Sequence, residues 1–203
     1  TGIAEDGSGQ LWIATSTGLI RMNRHTFEMV RVGDDELLAS SVQYVLASAD
    51  GSIWAMGSRH LYHIGTNGSI IRKYDTGEIS CLYEDHTGRL WLSRYGAGLQ
   101  VLDVQTGQFR TMVGGHNFSA MLDDQANGCY WLCDLDEGFM RYVEGAAGTD
   151  PIVEKQPDVM DDYGMRITLY SHLVQDDRYG YIWAIAYYRG LYVFRPSADG
   201  RLE

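Results

Sequence analysis

Five short segments gather the side chains whose chemistry could serve recognition: TSTG (15–18), GSRH (57–60), RYGAG (94–98), DLDEG (134–138) and AYYRG (186–190). They carry Arg59, His60, Arg94, Tyr95, Asp134, Asp136, Glu137, Tyr187, Tyr188 and Arg189. A tyrosine ring offers a flat apolar face that packs on the apolar face of a sugar, and it keeps a hydroxyl for hydrogen bonding. An arginine offers a fork of donors to a carboxylate or sulfate. Two segments join the types directly, as Arg94-Tyr95 and Tyr188-Arg189. The mixture suits a carbohydrate, with Arg59, His60, Arg94, Tyr95, Asp134, Glu137, Tyr187, Tyr188 and Arg189 as candidate contacts. The plainer role for each is that of a solvated turn residue, or of an arginine paired with a neighbouring acid.

Catalysis needs a constellation, and none is legible. Paired carboxylates could hydrolyse a glycoside across a cleft, but Asp134, Asp136 and Glu137 crowd into one segment. HExxH and GxSxG are absent, so the expectation is a non-catalytic chain without a cofactor. The run DVMDD, with Asp158, Asp161 and Asp162, lacks the alternating spacing and closing Glu of a calcium loop. Cys81, Cys129 and Cys133 lack zinc-ligand spacing. On one strand, Cys129 and Cys133 would lie roughly 13 Å apart, too far for a disulfide. Three buried thiols and no metal are expected.

The elements that position these segments are repeated. The tryptophans are Trp12, Trp54, Trp91, Trp131 and Trp183, and three residues before each stands a glycine: Gly9, Gly51, Gly88, Gly128 and Gly180. Six residues before stand Asp6, Ser48, Asp85, Gln125 and Asp177, with the acid of the fourth repeat one place earlier at Asp124. Further on come Leu19, Leu61, Leu99, Phe139 and Leu191. Asp-x-x-Gly makes a turn, because Asp bonds nearby backbone amides and Gly accepts positive φ. LWIAT alternates and reads as a strand; TGLIRM and AGLQVL read as a second; TFEMVRV, SIIRKY and GQFRTM as a third. VQYVLAS, EISCLYED and SHLVQDD enter the turn. Four antiparallel strands recurring about every 40 residues make one blade of an all-β propeller. A β-solenoid repeat is usually shorter. The expected repeats run over about 1–37, 38–77, 78–116, 117–166 and 167–203, and each Trp should fill the layer between sheets.

Composition bounds the partners. The 203 residues are 45% hydrophobic and 12% aromatic, with 24 glycines and three prolines, a balance for strands and turns. The net charge is −11 and the lysines are Lys73 and Lys155 alone. That excludes a basic face for nucleic acid or for anionic lipid. No run of about 18 apolar residues exists to span a bilayer.

With these columns in view, the repeat resembles the two-component regulator propeller family. EDGSGQLWIATSTGLIRM and EDHTGRLWLSRYGAGLQVLDVQTGQFRTM match best, and DDRYGYIWAIAYYRGLYVF is close. SADGSIWAMGSRHLYHI and DDQANGCYWLCDLDEGFMRYV are degenerate. The resemblance implies a periplasmic sensor region of a hybrid two-component histidine kinase. Such regions are typical of gut Bacteroidetes, where many answer to polysaccharide breakdown products. The resemblance does not identify the ligand; the partners expected are an oligosaccharide, the rest of the sensor region and a homodimer mate. The rival is a protein-interaction or dimerisation propeller with no small ligand.

The chain begins at Thr1 without Met, inside what reads as a first strand, and stops at RPSADGRLE, where the fifth outer strand has barely begun. We expect a piece of a larger propeller region. Either five blades close imperfectly or the piece is open, exposing sheet faces. Between Trp131 and Trp183 lie about a dozen residues more than usual, within Glu144–Arg166. An insertion of that kind helps form a binding rim or remains a loop beside a longer outer strand.

Overall fold

The computed structural model describes residues 2–146, 149–197 and 199–203, so Thr1, expected within the first strand, lies outside the described residues. The chain is all-β, apart from a short helix, and its five antiparallel sheets are the blades of a β-propeller. Blade 1 is β1 (Ile3–Glu5), β2 (Gln10–Thr15), β3 (Gly18–Asn23) and β4 (Met29–Val32); helix α1 (Asp35–Ala39) follows. Blade 2 is β5 (Val42–Ala47), β6 (Ile53–Gly57), β7 (His60–Ile64) and β8 (Ile70–Asp75). Blade 3 is β9 (Ile79–Glu84), β10 (Leu90–Arg94), β11 (Gly98–Leu102) and β12 (Phe109–Val113). Blade 4 is β13 (Phe118–Asp124), β14 (Cys129–Asp134), β15 (Gly138–Val143) and β16 (Ile152–Lys155). A two-stranded hairpin follows, β17 (Val159–Met160) and β18 (Arg166–Ile167). Blade 5 has three strands, β19 (Tyr170–Gln175), β20 (Ile182–Ala186) and β21 (Gly190–Phe194). Among the described residues no fourth strand pairs with β21, and the tail beyond it holds a single bridge, Pro196 to Leu202.

The chain forms two compact units. Residues 1–79 with 105–107 make the first; residues 80–104 with 108–203 make the second. In the first, Trp12, Ala14 and Leu19 of blade 1 pack with Val45, Ile53, Ala55 and Tyr62 of blade 2. In the second, Trp91 and Leu99 of blade 3 pack with Met121, Tyr130, Leu132 and Tyr142 of blade 4. There too, Trp131 and Phe139 of blade 4 pack with Leu173, Ile182 and Ala184 of blade 5. The period-2 alternation of the second strands delivers this in blades 1, 3 and 4, whose rings lie on the face packed against the next sheet.

The turn that enters each Trp strand is built as its columns imply. Gly9, Gly51, Gly88, Gly128 and Gly180 all take φ between +61° and +87°. Asp6 Oδ1 accepts the amides of Ser8 and Gln10, at 2.9 and 3.0 Å. Asp85 Oδ1 does the same for Thr87 and Arg89. In blade 5 the acid is Asp176, one place earlier than the aligned Asp177, and it holds the amides of Arg178 and Tyr179. The cause is a turn one residue wider: the Asp176 amide bonds the carbonyl of Tyr181, five residues on, whereas Asp85 bonds that of Arg89, four on.

The spacing hides a second bond. Trp12 Nε1 donates to Asp6 Oδ2 at 2.7 Å, Trp91 Nε1 to Asp85 Oδ2 at 2.7 Å, and Trp131 Nε1 to Asp124 Oδ2 at 2.9 Å. The turn acid thus satisfies the one polar atom of the buried ring. Burial works to raise the Asp85 carboxyl, but donors from Thr87, Trp91 and Arg89 outweigh it and hold it far below the ordinary carboxylate range. Asp6 is lowered by the same balance, with Trp12 its leading donor. In blade 2, where Ser48 replaces the acid, Trp54 instead stacks on His63 with centroids 4.1 Å apart.

Trp183 departs from the expectation. Four tryptophans are at most 3% exposed, but Trp183 is 40% exposed. Val174, Ile185, Leu191 and Val193, paired in register on the same face, are exposed with it. That face of the fifth sheet is uncovered among the described residues.

The three cysteines are free and buried. Burial pushes the Cys81 thiol up to about 12 and raises Cys133 well above its ordinary value. Cys129 and Cys133 lie on β14, facing the same core as Trp131.

Candidate functional site

The four turns that follow β6, β10, β14 and β20 hold the candidate contacts, and the structure treats them unequally. In the first unit, the turn after β6 meets helix α1. Asp34 caps that helix by accepting the Leu37 amide at 2.9 Å. Glu36 then faces His60 Nδ1 at 3.1 Å and also binds Lys73. A cavity of about 140 Å³ lies here, lined by Glu36, Ser40, Arg59, His60 and Tyr62 among others. Arg59 and His60 therefore share one small hollow.

In the second unit, Arg94 and Tyr95 part company. Arg94 Nε donates to the buried Gln100 at 2.6 Å, and its guanidinium lies 4.5 Å from the Phe109 centroid. The side chain is thus folded back along blade 3, while Tyr95 is exposed. Gly98 makes this turn tight: at φ +76°, an added Cβ would meet the Val113 carbonyl oxygen at 2.1 Å.

Asp134 is 2% exposed and committed to its own loop. It accepts the amides of Asp136 and Glu137 at 2.9 and 2.8 Å, the amide of Asn117 at 3.1 Å, and faces His116 Nδ1 at 3.2 Å. It offers a ligand no surface; its work is to shape the turn. Glu137 is engaged as well, 2.9 Å from Lys155 Nζ and 3.8 Å from Arg166.

The turn after β20 carries two adjacent exposed tyrosines. Tyr187 and Tyr188 are 52% and 89% exposed, with ring centroids 4.2 Å apart. Arg189 is not free beside them: its Nη1 lies 2.5 Å from Asp161 Oδ2 of the hairpin. Asp161 Oδ1 accepts the amides of Tyr163 and Met165 at 2.9 and 2.8 Å. The Asp-rich run is thus explained by turn amides and an arginine. Among the described residues, no three His, Cys, Asp or Glu side chains converge as a metal site would need.

Sequence reasoning missed Asp161 as an organiser and Tyr163 as a surface group. The signal was present in DDYGM, an Asp-x-x-Gly turn with an aromatic inside it, of the same kind as the blade turns.

With this geometry in hand, comparison with known proteins is informative. Residues 73–93, which run through Asp85, Gly88 and Trp91, match the model of the two component regulator propeller. No curated protein matches this chain in sequence. Among solved structures, this chain is similar to the extracellular domain of a hybrid two component system from B. thetaiotaomicron. The TM-score is 0.72 at 15% identity, over 94% of this chain and 26% of that one. It is similar to the extracellular domain of a one component system from the same organism, with TM-score 0.68 and 18% identity, over 99% of this chain and 30% of that one. Virginiamycin B lyase from Staphylococcus aureus is also similar, with TM-score 0.71 and 16% identity, over 100% of this chain and 68% of that one. At these identities the likeness shows the fold. The chain spans about a quarter to a third of the two B. thetaiotaomicron domains. No helix of the described residues is long and apolar enough to cross a membrane.

Proposed function

We propose that this propeller is a non-catalytic recognition module in the periplasmic sensor region of a two-component regulator, and that it binds an oligosaccharide. The observation that carries the reading is the match of residues 73–93 to the two component regulator propeller, on a fold shared with the extracellular domains of a hybrid two component system and a one component system. The turn chemistry supports recognition over catalysis. Asp134 is spent on backbone amides and Glu137 on two cations, so neither stands free as an acid or base. Ligand binding in such a module acts by favouring one arrangement of the sensor over another, which a kinase outside this chain would read.

A second reading has its own observation. The uncovered face of blade 5, with Trp183, Val174, Ile185, Leu191 and Val193, is an apolar surface of the kind proteins bury against one another. A homodimer or another sensor element would cover it. Thermal-shift screening against neutral and acidic oligosaccharides separates the readings. A stabilising sugar supports the first. No stabilisation, together with a mass in light scattering that falls when Trp183 is changed to Lys, favours the second.

A further inference from the structure

The insertion between blades 4 and 5 is pinned at both flanks. Towards blade 4, Arg166 donates to the Asp136 carbonyl and its Nε lies 3.0 Å from Asp158, while Lys155 bridges Glu137 and Asp158 at 2.9 and 3.3 Å. Towards blade 5, Asp161 holds Arg189 and, with its other oxygen, folds the hairpin's own turn. Each exposed pair is weak alone, but a network sharing several members fixes a segment better than an isolated pair does. Above this base stand Tyr163, 88% exposed, and Tyr187 and Tyr188. Tyr188 sits at φ +60°, which a bulky residue adopts only when its surroundings hold it there.

We propose that the hairpin 159–167 and the turn 187–189 form one binding site, in which Tyr163, Tyr187 and Tyr188 stack on the rings of a neutral oligosaccharide. The inference rests on the carbohydrate reading above and deepens it by naming the place and the charge class. Large aromatic side chains with few torsions give contact area at low entropic cost, and their hydroxyls suit a ligand covered in hydroxyls. The charge class follows from the pairing. The nearby cations Lys155, Arg166 and Arg189 already face Glu137, Asp158 and Asp161. Asp136 and Asp162 are exposed, and no ion pair to either is present among the described residues. A uronic acid or sulfate would therefore meet spare negative charge and no spare cation.

The test is calorimetric titration of the whole chain with gluco-, manno-, xylo- and galacto-hexaoses, and with tetragalacturonate. Variants are Tyr163→Ala, Tyr188→Ala and Asp161→Ala, with Tyr179→Ala, an exposed tyrosine at the other end of β20, as the control. We expect a neutral hexaose to bind, the Tyr163→Ala and Tyr188→Ala variants to weaken it at least tenfold, and Tyr179→Ala to leave it unchanged. Asp161→Ala, which keeps every tyrosine, should weaken binding by unpinning the hairpin. Binding undiminished in both Tyr163→Ala and Tyr188→Ala puts the site elsewhere and overturns this inference, while the carbohydrate reading survives. Tighter binding of tetragalacturonate overturns the charge class. Binding of none of these sugars overturns both readings, and makes the tyrosines a surface for protein.

Discussion

The turn acid of blade 3 offers the sharpest test of how the repeat is held together. Asp85 is 4% exposed and receives the amides of Thr87 and Arg89, the Arg89 Nε at 2.8 Å, the Trp91 indole and the Tyr130 hydroxyl at 3.2 Å. In Asp85→Ala the indole N–H stays buried with no acceptor, which costs about 1–3 kcal/mol. The two amides lose charge-assisted bonds but can recover water, for about 1–2 kcal/mol together. Arg89 keeps Glu144 at 2.9 Å and adds little. The sum, about 2–5 kcal/mol, is a large part of the stability of an ordinary domain. Asp177 occupies the same column of the sequence but is exposed, and Asp176 builds its turn; Asp177→Ala should stay within about 0.5 kcal/mol. Urea unfolding followed by tryptophan fluorescence measures both. A cost for Asp85→Ala below about 1 kcal/mol, or equal to that of Asp177→Ala, would refute the role given to the buried acid. The pH dependence has a definite sign. The folded carboxyl lies below its unfolded value near 3.9, so its contribution is present above that value and is lost as pH falls through the folded one. The gap between wild type and Asp85→Asn should be widest above about pH 4.5 and close in stronger acid.

Other expectations follow from the same packing. Trp131→Ala removes a fully buried ring and should cost about 3–5 kcal/mol, whereas Trp183→Ala, on the uncovered face, should cost about 1 kcal/mol or less in the same urea assay. Gly88→Ala forces an alanine into positive φ with open space around it, for about 1–2 kcal/mol; Gly98→Ala adds a clash with the Val113 carbonyl and should cost more, as a larger fall in Tm. The native protein should be inert to a thiol-reactive disulfide reagent at pH 8, because burial raises all three thiols, and should release three equivalents once unfolded in urea.

The blades were legible because their signals are local and repeated. A glycine at positive φ, an acid that folds a turn and an alternating strand each act over a few residues, and five copies average out the exceptions. The Asp–Trp bond was less legible, although its spacing was in plain view, because side-chain spacing alone does not say that two polar atoms meet. Asp177 shows the limit of a column. One extra residue in the turn moves the working acid to Asp176, a slip that only the backbone register reveals. Trp183 shows another limit: its sequence is that of a buried ring, and burial depends on whether something lies opposite.

The site was harder to read for a physical reason. Arginine, aspartate and glutamate bind ligands with the same bonds they use to fasten loops, so residue type cannot separate the roles. Arg94 is spent on Gln100 and Phe109, Asp134 on amides, Glu137 on Lys155, and Arg189 on Asp161. The turns that looked richest in chemistry are therefore the ones most occupied in holding themselves. The aromatics they leave outward are their tyrosines, joined by Tyr163 from an insertion with no counterpart in the other blades among the described residues. A repeated scaffold gains specificity where its repeat is broken, and here the break is fastened by the very charges that first resembled a ligand's contacts. Asp161→Ala tests that directly: if the charges serve the hairpin, losing one should change the hairpin's protection from hydrogen exchange while leaving the blade strands protected.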